Sequence, residues 1–75
     1  MPHISVKLYN GKTEAQKKKL AEELTRTAIA IVGNGEESFS VAIEDIAPAD
    51  WKDKVYDTDI MTQKDKLYKQ PGYKM

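Results

Sequence analysis

No cysteine occurs in this chain. Disulfide staples and thiolate metal sites are therefore excluded. Arginine occurs once, at Arg26, and histidine once, at His3. No sequence cluster pairs that histidine with acids at ligand spacing, so no metal site or other cofactor is expected. Charge of one sign is not in excess either: Lys+Arg and Asp+Glu both number 12. A nucleic-acid binder usually carries a basic surplus, so that partner is not expected. No apolar stretch near the N-terminus is long enough for a signal h-region or a membrane span. The expectation is a soluble cytoplasmic protein without a membrane partner. Length is the last thing in short supply. Seventy-five residues make one domain, 1–75. A chain of this size buries only roughly 60% of its unfolded surface, so its core is thin.

What is present begins with strict alternation in the opening stretch MPHISVKLY. Ile4, Val6 and Leu8 fall on one side, His3, Ser5, Lys7 and Tyr9 on the other. A period of two predicts a β-strand over Met1–Tyr9 with one buried face. Asn10-Gly11 reads as a turn. Thr13 with Gln16 three residues later is a capping-box pattern. It opens a helix running to Val32, with Leu20, Leu24, Ala28 and Ile31 at helical spacing and Ala21 and Thr27 beside them. Lys17–Lys19 and the pairs at intervals of four (Lys18, Glu22 and Arg26; Lys19 and Glu23) read as its wet side. Gly33-Asn34-Gly35 ends it. Ser38–Ile46, with Phe39, Val41 and Ile43 alternating, predicts a second strand. Beyond it, Ala47–Trp51 suggests a turn and a short helical piece. Tyr56, Ile60 and Leu67 suggest a helix over Asp57–Lys69. Pro71-Gly72 carries the signature of a type II turn.

Strand, twenty-residue helix and strand make a βαβ unit with parallel strands. Both strands then start at one sheet edge, which places Pro2 near Ser38–Ser40. Two strands under a helix leave open edges and too little core. The fold class expected is α+β: a βαβ unit pairing edge to edge with a second subunit into a four-stranded sheet with helices on one face. The face bearing His3, Ser5, Ser40 and Ala42 still needs a cover, either a further subunit or the second helix. A homo-oligomer follows from these needs. A dimer is favoured, because the long segment after Trp51 could cap one.

An initial Met-Pro, a short alternating strand, Gly11-Lys12, a capped amphipathic helix, SFSVAIEDI and an aromatic at Trp51 come in that order. This pattern resembles the 4-oxalocrotonate tautomerase family over nearly the whole chain. The start MPHI, the stretch SVAIEDIAPADW and the end KQPGYKM are most similar to its short bacterial, phenylpyruvate-type branch. The resemblance implies that Met1 is removed and that the secondary amine of Pro2 acts as general base, interconverting keto and enol forms. The chemistry is sound: partial desolvation lowers the pKa of an amine, and a base works best with a pKa near the operating pH.

The resemblance also implies three substrate-binding positions. Lys12 stands where the family prototype has a carboxylate-binding arginine, and keeps the charge without the bidentate fork. Ser40 stands at the second arginine and offers one hydrogen bond. Trp51 matches the aromatic that closes the prototype's pocket, although a lone Trp often serves as a core or interface anchor. Losing both arginines points away from a dicarboxylate and toward a small 2-oxo acid, such as an aryl- or alkyl-pyruvate, as the partner. His3 reads as a pocket-wall or interface residue, and Glu44 and Asp45 as solvated. Two alternatives stand beside the tautomerase. One is hydratase or dehalogenase chemistry on an unsaturated acid, which needs the absent arginines. The other is a non-enzymatic homo-oligomeric binding module.

Overall fold

The computed structural model describes residues 1–75. Strand β1 spans His3–Tyr9, helix α1 Glu14–Val32 and strand β2 Ser40–Ile46. The two strands pair in parallel with His3 opposite Ser40 and Tyr9 opposite Ile46. Two further backbone bonds bracket the ladder: Ser40 N–H to the Pro2 carbonyl at 3.3 Å, and Asn10 N–H to the Ile46 carbonyl at 3.2 Å. The βαβ unit and the nearness of Pro2 to Ser40 are as the alternation predicts. β2 starts two residues later than expected, because Glu36–Ser38 form a 3₁₀ turn first.

Local chemistry fixes the ends of α1. The Thr13 hydroxyl accepts from Gln16 N–H at 3.0 Å, and the Gln16 side chain accepts from Thr13 N–H at 2.9 Å. Gly33 closes the helix in the left-handed region at φ 81°, its N–H bonded to the Ile29 carbonyl. Thr13→Ala removes the cap and is expected to cost about 1 kcal/mol. A urea unfolding midpoint unchanged by that substitution would contradict the cap's role.

The helix faces the sheet with a stripe slightly rotated from the expected one. Lys17, Leu20, Ala21, Leu24, Thr25, Ala28 and Ile29 are half-buried, whereas Thr27 is exposed and Ile31 is 78% exposed. For Ile31 the cause is length. Nineteen residues at about 1.5 Å each outrun seven strand residues at about 3.3 Å, so the last helical turn overhangs the sheet. Lys17 departs from the wet-side reading. Its ammonium reaches Asp45 of β2 at 2.9 Å and Glu14 at 3.1 Å, tying the start of α1 to the end of β2.

The other sheet face is covered at one end by the chain itself. After a 3₁₀ turn at Pro48–Asp50, residues Lys52–Ile60 form a π-helix and Met61–Lys66 a 3₁₀ stretch. The expected boundaries, Asp57–Lys69, are therefore corrected: the helix begins five residues earlier and ends three earlier. Pro48 at the first helical position nucleates it early, and Leu67 is already extended. The wider turn, with Met61 N–H bonded to the Tyr56 carbonyl, lets Trp51, Val55, Tyr56 and Ile60 recur at steps of four to five. This segment lies over Lys7 and Tyr9, which Asp59 and Trp51 contact. Ile46, Val55 and Tyr56 are the three buried residues. His3, Ser5, Ser40 and Ala42, at the opposite end of that face, stay exposed.

Gly72 does not adopt positive φ, so the type II turn expected at Pro71-Gly72 is absent. Packing overrides the local preference there. The Tyr73 ring lies against Tyr56 at 5.7 Å, and its hydroxyl accepts from Trp51 Nε1 at 3.0 Å. No helix of the chain is long and apolar enough to cross a membrane.

Candidate active site

Pro2 stands at the first step of the sheet. Its carbonyl is held by Ser40 N–H, while its nitrogen lies upstream of the ladder. Pro2 is half-buried, whereas Met1 is 99% exposed and packs on nothing. Loss of Met1 would thus remove no contact that the fold uses. Beside Pro2, the first register pair brings the His3 and Ser40 side chains together, with Nδ1 and Oγ 2.6 Å apart.

Trp51 and Lys12 lie elsewhere. Trp51 packs edge-on against Tyr9, with ring centroids 5.2 Å apart. Lys12 follows the turn after Tyr9 and is exposed. Six residue steps at about 3.3 Å separate Tyr9 from His3, or about 20 Å. Within one chain, therefore, Pro2 and Ser40 meet at one sheet end, and Trp51 and Lys12 sit at the other. The parallel βαβ order accounts for this separation: Pro2 and Ser40 stand at the strand starts, whereas Lys12 and Trp51 follow the strand ends.

The Tyr9 end holds groups that the sequence did not single out. Tyr9, Trp51, Tyr73, Lys74 and Met75 line an open cleft of about 430 Å³. Tyr73 is twenty-two positions from Trp51, and no spacing rule links them. Most nearby cations are already engaged. Lys7 reaches Asp59 at 2.5 Å, and that hydrogen bond holds its ammonium above the usual lysine value of 10.5. Lys52 is raised in the same way by Asp57 at 3.0 Å. Lys54 pairs with Asp50 at 3.6 Å. Lys12 and Lys74 make no ion pair within the chain, so their charge is available to an external anion. Arg26 is spent on Glu23 at 3.4 Å, on the outer face of α1. Lys19 and Arg26 together lower the Glu23 pKa, the Lys19 hydrogen bond contributing most.

Comparison with known proteins gives a consistent picture. The profile of a family described as "Tautomerase enzyme" matches residues 2–53. "Tautomerase PptA" of Cronobacter sakazakii is 42% identical over 76 aligned positions, covering 100% of both chains. A "probable tautomerase" of Xylella fastidiosa is 41% identical over 73 positions, covering 97% of this chain and 89% of its own. Among solved structures, the 4-oxalocrotonate tautomerase homologue TomN, of the tomaymycin biosynthetic pathway, superposes with a TM-score of 0.65 at 32% identity. That match covers 67% of this chain and 77% of TomN. YwhB, another homologue of 4-oxalocrotonate tautomerase, superposes with a TM-score of 0.60 at 35% identity, covering 61% of this chain and 75% of its own. The family profile ends at residue 53, whereas the PptA match runs through the π-helix and the residues after it as well.

Proposed function

The chain belongs to the tautomerase family and is an isomerase of the tautomerase type, and from that premise we propose that it is a cytoplasmic keto–enol tautomerase whose base is the amine of Pro2, freed by loss of Met1. Its substrate is a small 2-oxo acid of the aryl- or alkyl-pyruvate class. In the keto-to-enol direction the amine takes a proton from the carbon next to the carbonyl. The C–H electron pair becomes the carbon–carbon double bond, and the carbonyl π pair moves onto oxygen. That oxygen then takes up a proton, and the reverse sequence ketonises the enol. The observation that carries this reading is the placement of Pro2. It is held through its carbonyl at the start of a strand, with its nitrogen outside the ladder. A ring amine so fixed loses little freedom on reaching a substrate.

The remaining groups argue for assembly. One chain separates its Pro2 end from its Trp51 and Lys12 end, and its His3–Ala42 face is uncovered. Two copies joined edge to edge about a two-fold axis run antiparallel. The Trp51 end of one copy then approaches the Pro2 end of the other. The composite site would hold Pro2 as base, Ser40 as hydrogen-bond donor, Lys12 as carboxylate partner and Trp51 as apolar wall. Mutual burial would also supplement a core of three buried residues. Stability should consequently depend on concentration. A hundredfold increase in protein is expected to raise the unfolding temperature by several degrees, in line with roughly 2.7 kcal/mol of mass-action stabilisation. A temperature that does not move, together with a monomeric mass by light scattering, would overturn the assembly.

A further inference from the structure

The Pro2 end contains one side chain, His3, that the tautomerase reading leaves without a task. His3 Nδ1 lies 2.6 Å from Ser40 Oγ. The two residues form the first pair of the parallel ladder, and both are exposed on the part of the face that the second helix leaves bare. Ser40 therefore grips the chain on both sides of the Pro2–His3 peptide: its backbone N–H holds the Pro2 carbonyl, and its hydroxyl meets the imidazole.

A hydroxyl has one proton to donate. If Ser40 gives it to Nδ1, the serine oxygen can only accept from a ligand. If Nδ1–H donates to Oγ, the hydroxyl proton is free for a ligand acceptor. An oxygen gaining negative charge during enolisation is an acceptor, so it selects the second arrangement. Two hydrogen bonds then point the same way, Nδ1–H to Oγ and O–H to the substrate oxygen, and each polarises the next. A lone serine is a weak substitute for an arginine, and this backing strengthens it.

We propose that His3 is a positioning residue that donates from Nδ1 to Ser40 Oγ and thereby aims the Ser40 hydroxyl at the oxygen on which charge builds in the reaction. The proposal rests on the reading of Pro2 as base. It concerns His3 acting through Ser40, with no direct contact between imidazole and substrate.

The test uses the full-length mature chain and phenylenolpyruvate, with kcat and KM measured separately. Ser40→Ala and His3→Ala are each expected to lower kcat about 10-fold to 100-fold, below the ~10²–10³ of a water-excluded oxyanion donor because this pair is exposed. KM should change little. The double variant should be no slower than Ser40→Ala alone, since the two residues act as one unit. His3→Asn should recover most of the loss, because its amide N–H can take the place of Nδ1–H. Costs that multiply in the double variant, a His3→Ala effect confined to KM, or Asn no better than Ala would each overturn the proposal. Circular dichroism and light scattering, compared across the set, identify any variant that has lost its fold, and His3→Asn keeps the test open if His3→Ala is one of them. Pro2→Ala is run alongside. If it leaves the rate unchanged, the base reading falls and this proposal with it. If it abolishes the rate while His3→Ala leaves kcat intact, only the positioning role falls.

Discussion

Replacing Pro2 by Ala should lower ketonisation of phenylenolpyruvate by about 10²–10⁴, the usual contribution of a positioned general base. Two physical changes produce the loss. The ring that restricts the nitrogen is gone, so the amine must be ordered anew at each encounter. The secondary amine also becomes a primary one, with the freedom to rotate away. Some activity should remain, because an N-terminal Ala still offers an α-amino group with an ordinary pKa of about 7.7–8.0. The fold should be unaffected: the backbone carbonyl that Ser40 holds is kept, and no side chain of residue 2 belongs to the buried core. Mass spectrometry of the native chain is the companion measurement. A retained Met1 would make the Pro2 nitrogen an amide without a basic lone pair, and the base reading would fail. Unchanged turnover in Pro2→Ala would likewise overturn the base reading, and no turnover by the wild-type chain would favour the binding-module alternative.

Most of the fold that positions Pro2 was legible in the sequence, because local rules govern it. Alternation at Ile4, Val6 and Leu8 marked β1, and Thr13 with Gln16 marked the start of α1 where the reciprocal cap forms. Chain order then placed Pro2 beside Ser40. The failures lie where tertiary contacts override local preference. Ile31 has the right helical phase but lies on an overhanging turn, and Lys17, read as solvated, is drawn inward by Asp45. Gly72 forgoes the left-handed conformation because Tyr73 is anchored on Tyr56 and Trp51. The π-helical spacing of Trp51, Val55 and Ile60 fits neither of the two periods by which elements are recognised. The candidate site divides along the same line. Pro2 and Ser40 come together through the ladder, and chain order puts Lys12 and Trp51 past the opposite strand ends; the packing of Trp51 on Tyr9 and Tyr73 is what no spacing rule encodes.

Tyr56→Ala should remove the cooperative unfolding transition of the chain. Tyr56 is 6% exposed and lies in the π-helix next to Val55, and with Val55 and Ile46 it makes up the three buried residues of the chain. Its ring also receives Tyr73, which in turn accepts the hydrogen bond from Trp51. Truncating a buried aromatic to Ala costs about 3–5 kcal/mol. A single core in a chain of this size seldom supplies more than about 3–5 kcal/mol, so the loss is comparable to the whole. Tyr56→Phe separates ring from hydroxyl. The hydroxyl has no hydrogen-bond partner in the chain, and no buried polar side-chain atom is left unsatisfied, so Phe should keep nearly the full stability. Urea titration followed by the fluorescence of the single Trp51 reads both variants, since the Tyr73 contact reports directly on that indole. A Tyr56→Ala chain with a wild-type midpoint would show that the fold rests instead on α1 and its face of the sheet. A Tyr56→Phe chain as unstable as Tyr56→Ala would shift the role from packing to the phenolic oxygen. If packing is the cause, the damage should spread to function as well. Trp51 and Tyr73 would lose their support together, and with them the aromatic cleft that a second copy is proposed to present to Pro2.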